Sequence, residues 1–145
     1  MSKRHFDRAA IAAADQVIRD IQADVHRSVG SKSAVVVAAP AGAGKSHLVE
    51  ITVASLRPDH RVAVAAPTNE QAFDLTRRIA DRLKADGVKE VVYHLHSGAV
   101  TPPADVPARS NVTCVVRGLP PGVGVVVGTI DKLADSLQRG SIENF

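Results

Sequence analysis

Short β-branched runs alternating with helix-period segments predict an α/β fold built on a parallel sheet. Two observations carry this reading. The apolar runs Ala34–Ala38, Arg61–Ala66 and Val123–Val127 are short and nearly unbroken, as in strands buried on both faces. Segments with apolar residues at helical spacing lie between them, punctuated by Gly and Pro.

The elements follow in chain order. From Asp7 to about Val29, Ile11, Ala14, Ile18, Ile21 and Val25 recur at helical spacing and form one apolar stripe, which Gly30 closes. Ala34–Ala38 reads as the first strand, followed by a loop of small residues and a helix over His47–Leu56. Arg57-Pro58-Asp59-His60 reads as a turn, and Arg61–Ala66 as the second strand. Thr68 with Gln71 three residues later is a capping box. The helix it opens carries Ala72, Leu75, Ile79 and Leu83 on one face, and Gly87 ends it. Val88–Leu95 and Val112–Val116 read as further strands. Thr101–Pro107 and Gly118–Gly122 are too rich in breakers for helix or central strand. After the Val123–Val127 strand, Gly128-Thr129 opens a last helix to about Arg139, closed by Gly140. An N-terminal helix over 1–30 thus precedes a core over 31–145, which contains the long Pro- and Gly-bearing segment 97–122.

The 145 residues suit a single domain, and its core draws on Ala and Val more than on aromatics. The net charge of +3 is compatible with a nucleic-acid partner without requiring one. Phe6, Phe73, Tyr93 and Phe145 are the only aromatic side chains, so a base-stacking platform has few candidates. The single cysteine, Cys114, excludes an internal disulfide and a Cys-based zinc site, and reads as a small buried hydrophobe. No stretch has the length of a membrane span or a signal peptide, and the expected location is cytoplasmic.

Ala39-Pro40-Ala41-Gly42-Ala43-Gly44-Lys45-Ser46 is a phosphate-binding loop with Ala in place of the usual first Gly, a position that chiefly has to be small. A triphosphate needs many donors close together. Gly42 and Gly44 let the backbone turn and approach without a Cβ in the way. The backbone N–H groups of Pro40–His47 (Pro40 itself has none) form an anion-binding concavity, backed by the positive end of the following helix. Lys45 reaches the β- and γ-phosphates, and the Ser46 hydroxyl is placed to ligate magnesium. The ligand expected here is ATP with magnesium.

Other polar residues have plainer readings. Arg77, Arg78 and Arg82 alternate with Asp74, Asp81 and Asp86 and form a solvated charged face. His94 and His96 share one face of a strand as a possible metal pair that lacks a third ligand. Asp131 is the nearest candidate for an acid that holds magnesium, and its plainer reading is a helix-start carboxylate favoured by the macrodipole.

Ala66-Pro67-Thr68-Asn69 with Ala72, Leu75, Thr76 and Ile79 resembles motif Ia of superfamily 1 helicases, nearest to the branch of the nonsense-mediated-decay helicase. Ala39–Ser46 resembles motif I of the same enzymes, and Val125–Leu133 resembles their motif Ib or Ic. The resemblance implies a three-layer, RecA-like P-loop NTPase with a mostly parallel sheet, here incomplete. It implies ATP hydrolysis, with Lys45 as the catalytic lysine. It implies contact of Thr68 and Asn69 with the backbone of single-stranded DNA or RNA, with Thr68 also a helix cap. It also implies a glutamine upstream of motif I that reads adenine, a role for which Gln22 or Gln16 stands at a suitable distance.

The acidic motif that should follow the third match does not appear before Phe145. The expectation is therefore the ATP-binding portion of a longer helicase, with the remainder of that chain as its partner. The alternatives are a stand-alone or nonfunctional nucleotide-binding module without motor activity, and a small-molecule kinase, against which motif Ia speaks.

Overall fold

The structure is a computed structural model that describes residues 8–31, 33–38, 40 and 42–140. It falls into two compact units, Met1–Leu48 and Val49–Phe145.

The first unit is led by helix α1 (Arg8–Ser28), close to the expected bounds. Its apolar stripe is only partly covered. Ile18, Ile21 and Val25 are half-buried, while Ile11 and Ala14 are exposed. The expected first strand is not formed: residues 34–38 belong to no strand, and Val36 is 88% exposed. A β-branched run supplies the propensity for a strand, but a strand exists only when its N–H and C=O groups pair across a ladder. Helix α2 (Lys45–Leu56) then starts at the end of the loop.

The second unit contains the rest of α2 and a four-stranded sheet. Its strands are β1 (Val62–Ala66), β2 (Val92–Leu95), β3 (Val112–Val115) and β4 (Val125–Thr129). All pairs are parallel, in the spatial order β1-β4-β2-β3. Helix α3 (Asn69–Ala85) follows β1, and helix α4 (Ile130–Gln138) follows β4. Two expected strands are trimmed, since β2 starts at Val92 and not at Val88, and β3 stops at Val115. In β4 the shift is the other way. Gly128 and Thr129 lie inside the strand, and Thr129 doubles as the cap of α4.

Side-chain alternation splits the core between the two faces of the sheet. Val64, Ala66, Val92, Val125 and Val127 pack with Ala72, Phe73, Ile79, Ala80 and Leu83 of α3 and with Val53 of α2. Leu95, Val123 and Val126 pack with Leu133 of α4 on the opposite face. Strand β4, central in the sheet and covered on both faces, is the one that reads as an unbroken valine run.

The Pro-rich segment after β2 has turns but neither helix nor strand up to β3, as its composition predicts. It is nevertheless fixed in place. Val106 is fully buried in the α3-side core. Arg77 of α3 grips Asp105 through two bonds of 2.6 and 3.0 Å, and Arg109 grips Asp81 of α3 at 2.9 and 3.1 Å. Asn111 Nδ2 donates to the Ala80 carbonyl at 2.7 Å. The Arg77 guanidinium holds the Asp105 carboxyl down to about 2. Arg78 and Arg82 pair with Asp74 and Asp86 one turn away along α3, the solvated charged face expected of them.

The amino ends of the strands are tied by an ion pair between Arg57, just after α2, and Glu90, just before β2. Both side chains are largely buried. The Glu90 carboxylate lies directly over Gly124, where an added Cβ would run into Oε1. Gly124 is needed for this close approach. Gly124→Ala should expel Glu90 from its seat and leave Arg57 without its partner, costing roughly 1–3 kcal/mol. Chemical denaturation of the two forms measures it, and equal stability would show that Glu90 moves aside at no cost.

Candidate functional site

The phosphate-loop residues lie together in the first unit. Gly42 and Gly44 have φ of +78° and +80°, a region that residues with a side chain rarely occupy. Among the described residues, no atom lies within 4 Å of where a Cβ would stand at either position. Ala43 N–H donates to the Pro40 carbonyl at 3.3 Å and tightens the turn. Leu48 N–H donates to the Gly44 carbonyl at 2.9 Å and starts α2. Lys45 is the first residue of α2, and its Nζ reaches back 2.6 Å to the Pro40 carbonyl. Ser46 is half-buried and His47 is exposed in the same first turn. Ala39 and Ala41 lie outside the described residues.

This donor set fits a polyphosphate and its magnesium. The helix N-terminus brings partial positive charge and N–H groups to the loop, Lys45 brings a full charge, and Ser46 brings a hard oxygen ligand. Gln22 lies half-buried on α1, and no hydrogen bond joins it to the loop among the described residues. Gln16 is exposed and spans Asp20 and Arg19 along the surface of α1.

The other candidate residues belong to the second unit. Thr68 is extended, at φ −129° and ψ 159°, and its hydroxyl accepts from Gln71 N–H at 3.3 Å. The capping role read from the sequence is therefore present. Asn69 occupies the first helical position and is half-buried. Thr129 repeats the device one strand over, accepting from Lys132 N–H at 3.3 Å. The sequence places Gly128-Thr129 at the start of this helix, and the structure gives Thr129 the capping bond. Asp131 is exposed in the first turn of α4, as a helix-start carboxylate should be.

His94 and His96 do not assemble a metal centre, and among the described residues no group of three His, Cys, Asp or Glu is placed to hold one. His94 is instead a core residue, 1% exposed and stacked on Phe73 with ring centroids 4.6 Å apart. Thr76 Oγ1 contacts both the Ala72 carbonyl at 2.8 Å and His94 Nδ1 at 2.7 Å. A carbonyl only accepts, so the hydroxyl proton goes to Ala72 and His94 donates its Nδ1–H to Thr76. His96 Nδ1 donates to the Ser97 carbonyl at 2.9 Å. Cys114 is half-buried, and that burial raises its thiol pKa.

A phosphate-binding loop leading into a helix, together with a parallel sheet that has helices on both faces, defines a P-loop nucleotide-binding domain of RecA-like type. A family model described as DEAD/DEAH box helicase matches residues 19–145. The chain belongs to that family. A search among curated proteins found no match, and a search among solved structures found none either. Among the described residues, no helix is long and apolar enough to cross a membrane.

Burial lowers the His94 pKa to about 4, with the neighbouring His96 adding to the fall. The unfolded chain, at about 6.5, takes up this proton first. His94 therefore contributes no pH dependence above about 6.5, and stability falls as the pH drops from there towards 4, by about 3 kcal/mol at most. Urea unfolding between pH 7 and pH 4.5 should show this loss in the parent chain and a much smaller one in His94→Gln. Parallel losses in the two forms would mean that other groups cause it.

Proposed function

We propose that this chain is the ATP-binding portion of a nucleic-acid-dependent ATPase of the superfamily 1 helicase type, in the branch of the nonsense-mediated-decay helicase. The observation that carries the reading is the loop turned at positive φ by Gly42 and Gly44, with Lys45 at the head of α2. Backbone N–H groups of residues 42–47 hold the phosphates. Lys45 gives up its bond to the Pro40 carbonyl and turns its charge to the β- and γ-phosphates. Ser46 supplies an oxygen to magnesium, which when bound offsets phosphate charge. Gln22 is assigned to the adenine. Thr68 and Asn69 meet the backbone of single-stranded DNA or RNA, so that their contacts are neutral and indifferent to base sequence.

A second reading has one observation in its favour. None of the four strands ends in a carboxylate: the last residues are Ala66, Leu95, Val115 and Thr129. The magnesium- and water-positioning acid of this enzyme class normally sits at such an end. The described residues by themselves therefore suit nucleotide binding better than turnover.

Lys45→Ala removes charge-assisted bonds worth about 1.5–3 kcal/mol, so ATP affinity should fall tenfold or more. Titration of a fluorescent ATP analogue with magnesium into both forms reads this directly. Equal affinity would overturn the assignment of Lys45.

A further inference from the structure

The carboxyl ends of the four strands form one row. Ala66 pairs with Thr129 across β1 and β4, and Leu95 pairs with both Gly128 and Val115. The last of these pairs, Leu95 with Val115, is closed by His96 N–H donating to the Val115 carbonyl at 3.0 Å. Just beyond this edge come Pro67 and Ile130, one residue after β1 and β4, and Ser97 and Arg117, two residues after β2 and β3. Ligands of open α/β sheets bind outside this carboxyl edge. Neighbouring strands lie about 4.8 Å apart, so Arg117 stands about 14 Å along the edge from the exit of β1, where Thr68 and Asn69 begin α3.

Arg117 differs from most of the arginines around it. Arg57, Arg77, Arg78, Arg82, Arg109 and Arg139 are each held by a carboxylate. Arg117 is exposed on the bend after β3, and no carboxylate among the described residues pairs with it. Glu70 and Asp131, the carboxylates of the first turns of α3 and α4, belong to the β1 and β4 end of the row. The β3 end therefore carries positive charge that no carboxylate among the described residues offsets.

We propose that Arg117 is a phosphate contact for single-stranded nucleic acid, marking the far end of a track that starts at Thr68 and Asn69 and crosses the ends of β4 and β2. This rests on the nucleic-acid part of the function proposed above. Thr68 and Asn69 supply neutral contacts, whereas Arg117 supplies a charge that releases a counterion. The two ends of the track thus leave different signatures in salt. Arginine suits the far end because its planar guanidinium meets phosphate through two bonds at once.

The test is anisotropy of a labelled homopyrimidine single strand, titrated at several salt concentrations. Arg117→Ala should flatten the plot of log affinity against log salt by about 0.7, and weaken binding roughly fivefold near 0.1 M salt. Arg117→Lys should keep most of the slope. Lys89→Ala removes the same charge from the opposite edge, next to the start of β2, and should change neither slope nor affinity in the same way. Equal effects of Arg117→Ala and Lys89→Ala would reduce the contribution to bulk charge and overturn the contact. If Asn69→Ala weakens binding while Arg117→Ala keeps the parent affinity and slope, the track reading fails and the function proposed for Asn69 stands. If the parent chain binds no single strand at all, both fall.

Discussion

Val125, Val126 and Val127 lose all solvent exposure because β4 lies between β1 and β2 in the sheet and between α3 and α4 across it. Each buried valine contributes about 1.5–3 kcal/mol, and the parallel ladders on both sides remove any freedom in register. That register sets the height of every strand end. It places the helix caps Thr68, two residues after β1, and Thr129, the last residue of β4, at the same edge of the sheet. A one-residue slip of β4 would turn Val126 to the α3 face and put a helix cap out of line. The position of the candidate binding edge is thus a consequence of three valines.

The amino edge is held in another way. There the chain relies on the Arg57–Glu90 ion pair and on a glycine beneath the carboxylate. The Pro-rich segment relies on Arg77, Asp105, Arg109 and Asp81, whose ion pairs are solvent-facing and individually weak. The buried Val106 supplies the apolar anchor beside them. Strength is therefore concentrated in the sheet and its two helix layers, while the surface pairs fix the course of a segment that has no ladder of its own.

What the sequence disclosed was local. The Thr68 cap, the helix face of Ala72, Ile79 and Leu83, and the central valine strand each depend on residues within a few positions of one another. They appear in the structure almost as read. The phosphate loop is legible for the same reason, since its glycines, lysine and serine are consecutive. What depends on distant partners was hidden. Arg77 and Asp105 are 28 residues apart, as are Asp81 and Arg109, and no period links them. Residues 34–38 have the composition of a strand, yet they form none, because composition cannot supply a neighbouring ladder. His94 reads from the sequence as half of a metal pair that lacks a third ligand, and its place in the core shows only once Phe73 and Thr76 are seen against it.

Amide hydrogen exchange followed peptide by peptide tests at once the nucleotide binding proposed for the loop at the head of α2 and the nucleic-acid binding proposed for the carboxyl edge of the sheet. Magnesium–ATP should slow exchange over residues 42–48, and a single-stranded oligonucleotide should slow it over 67–70, 129–131 and 116–118. Protection of the amino edge around 89–91 and 120–124 in place of these segments, or no change at the loop with saturating nucleotide, would contradict the account.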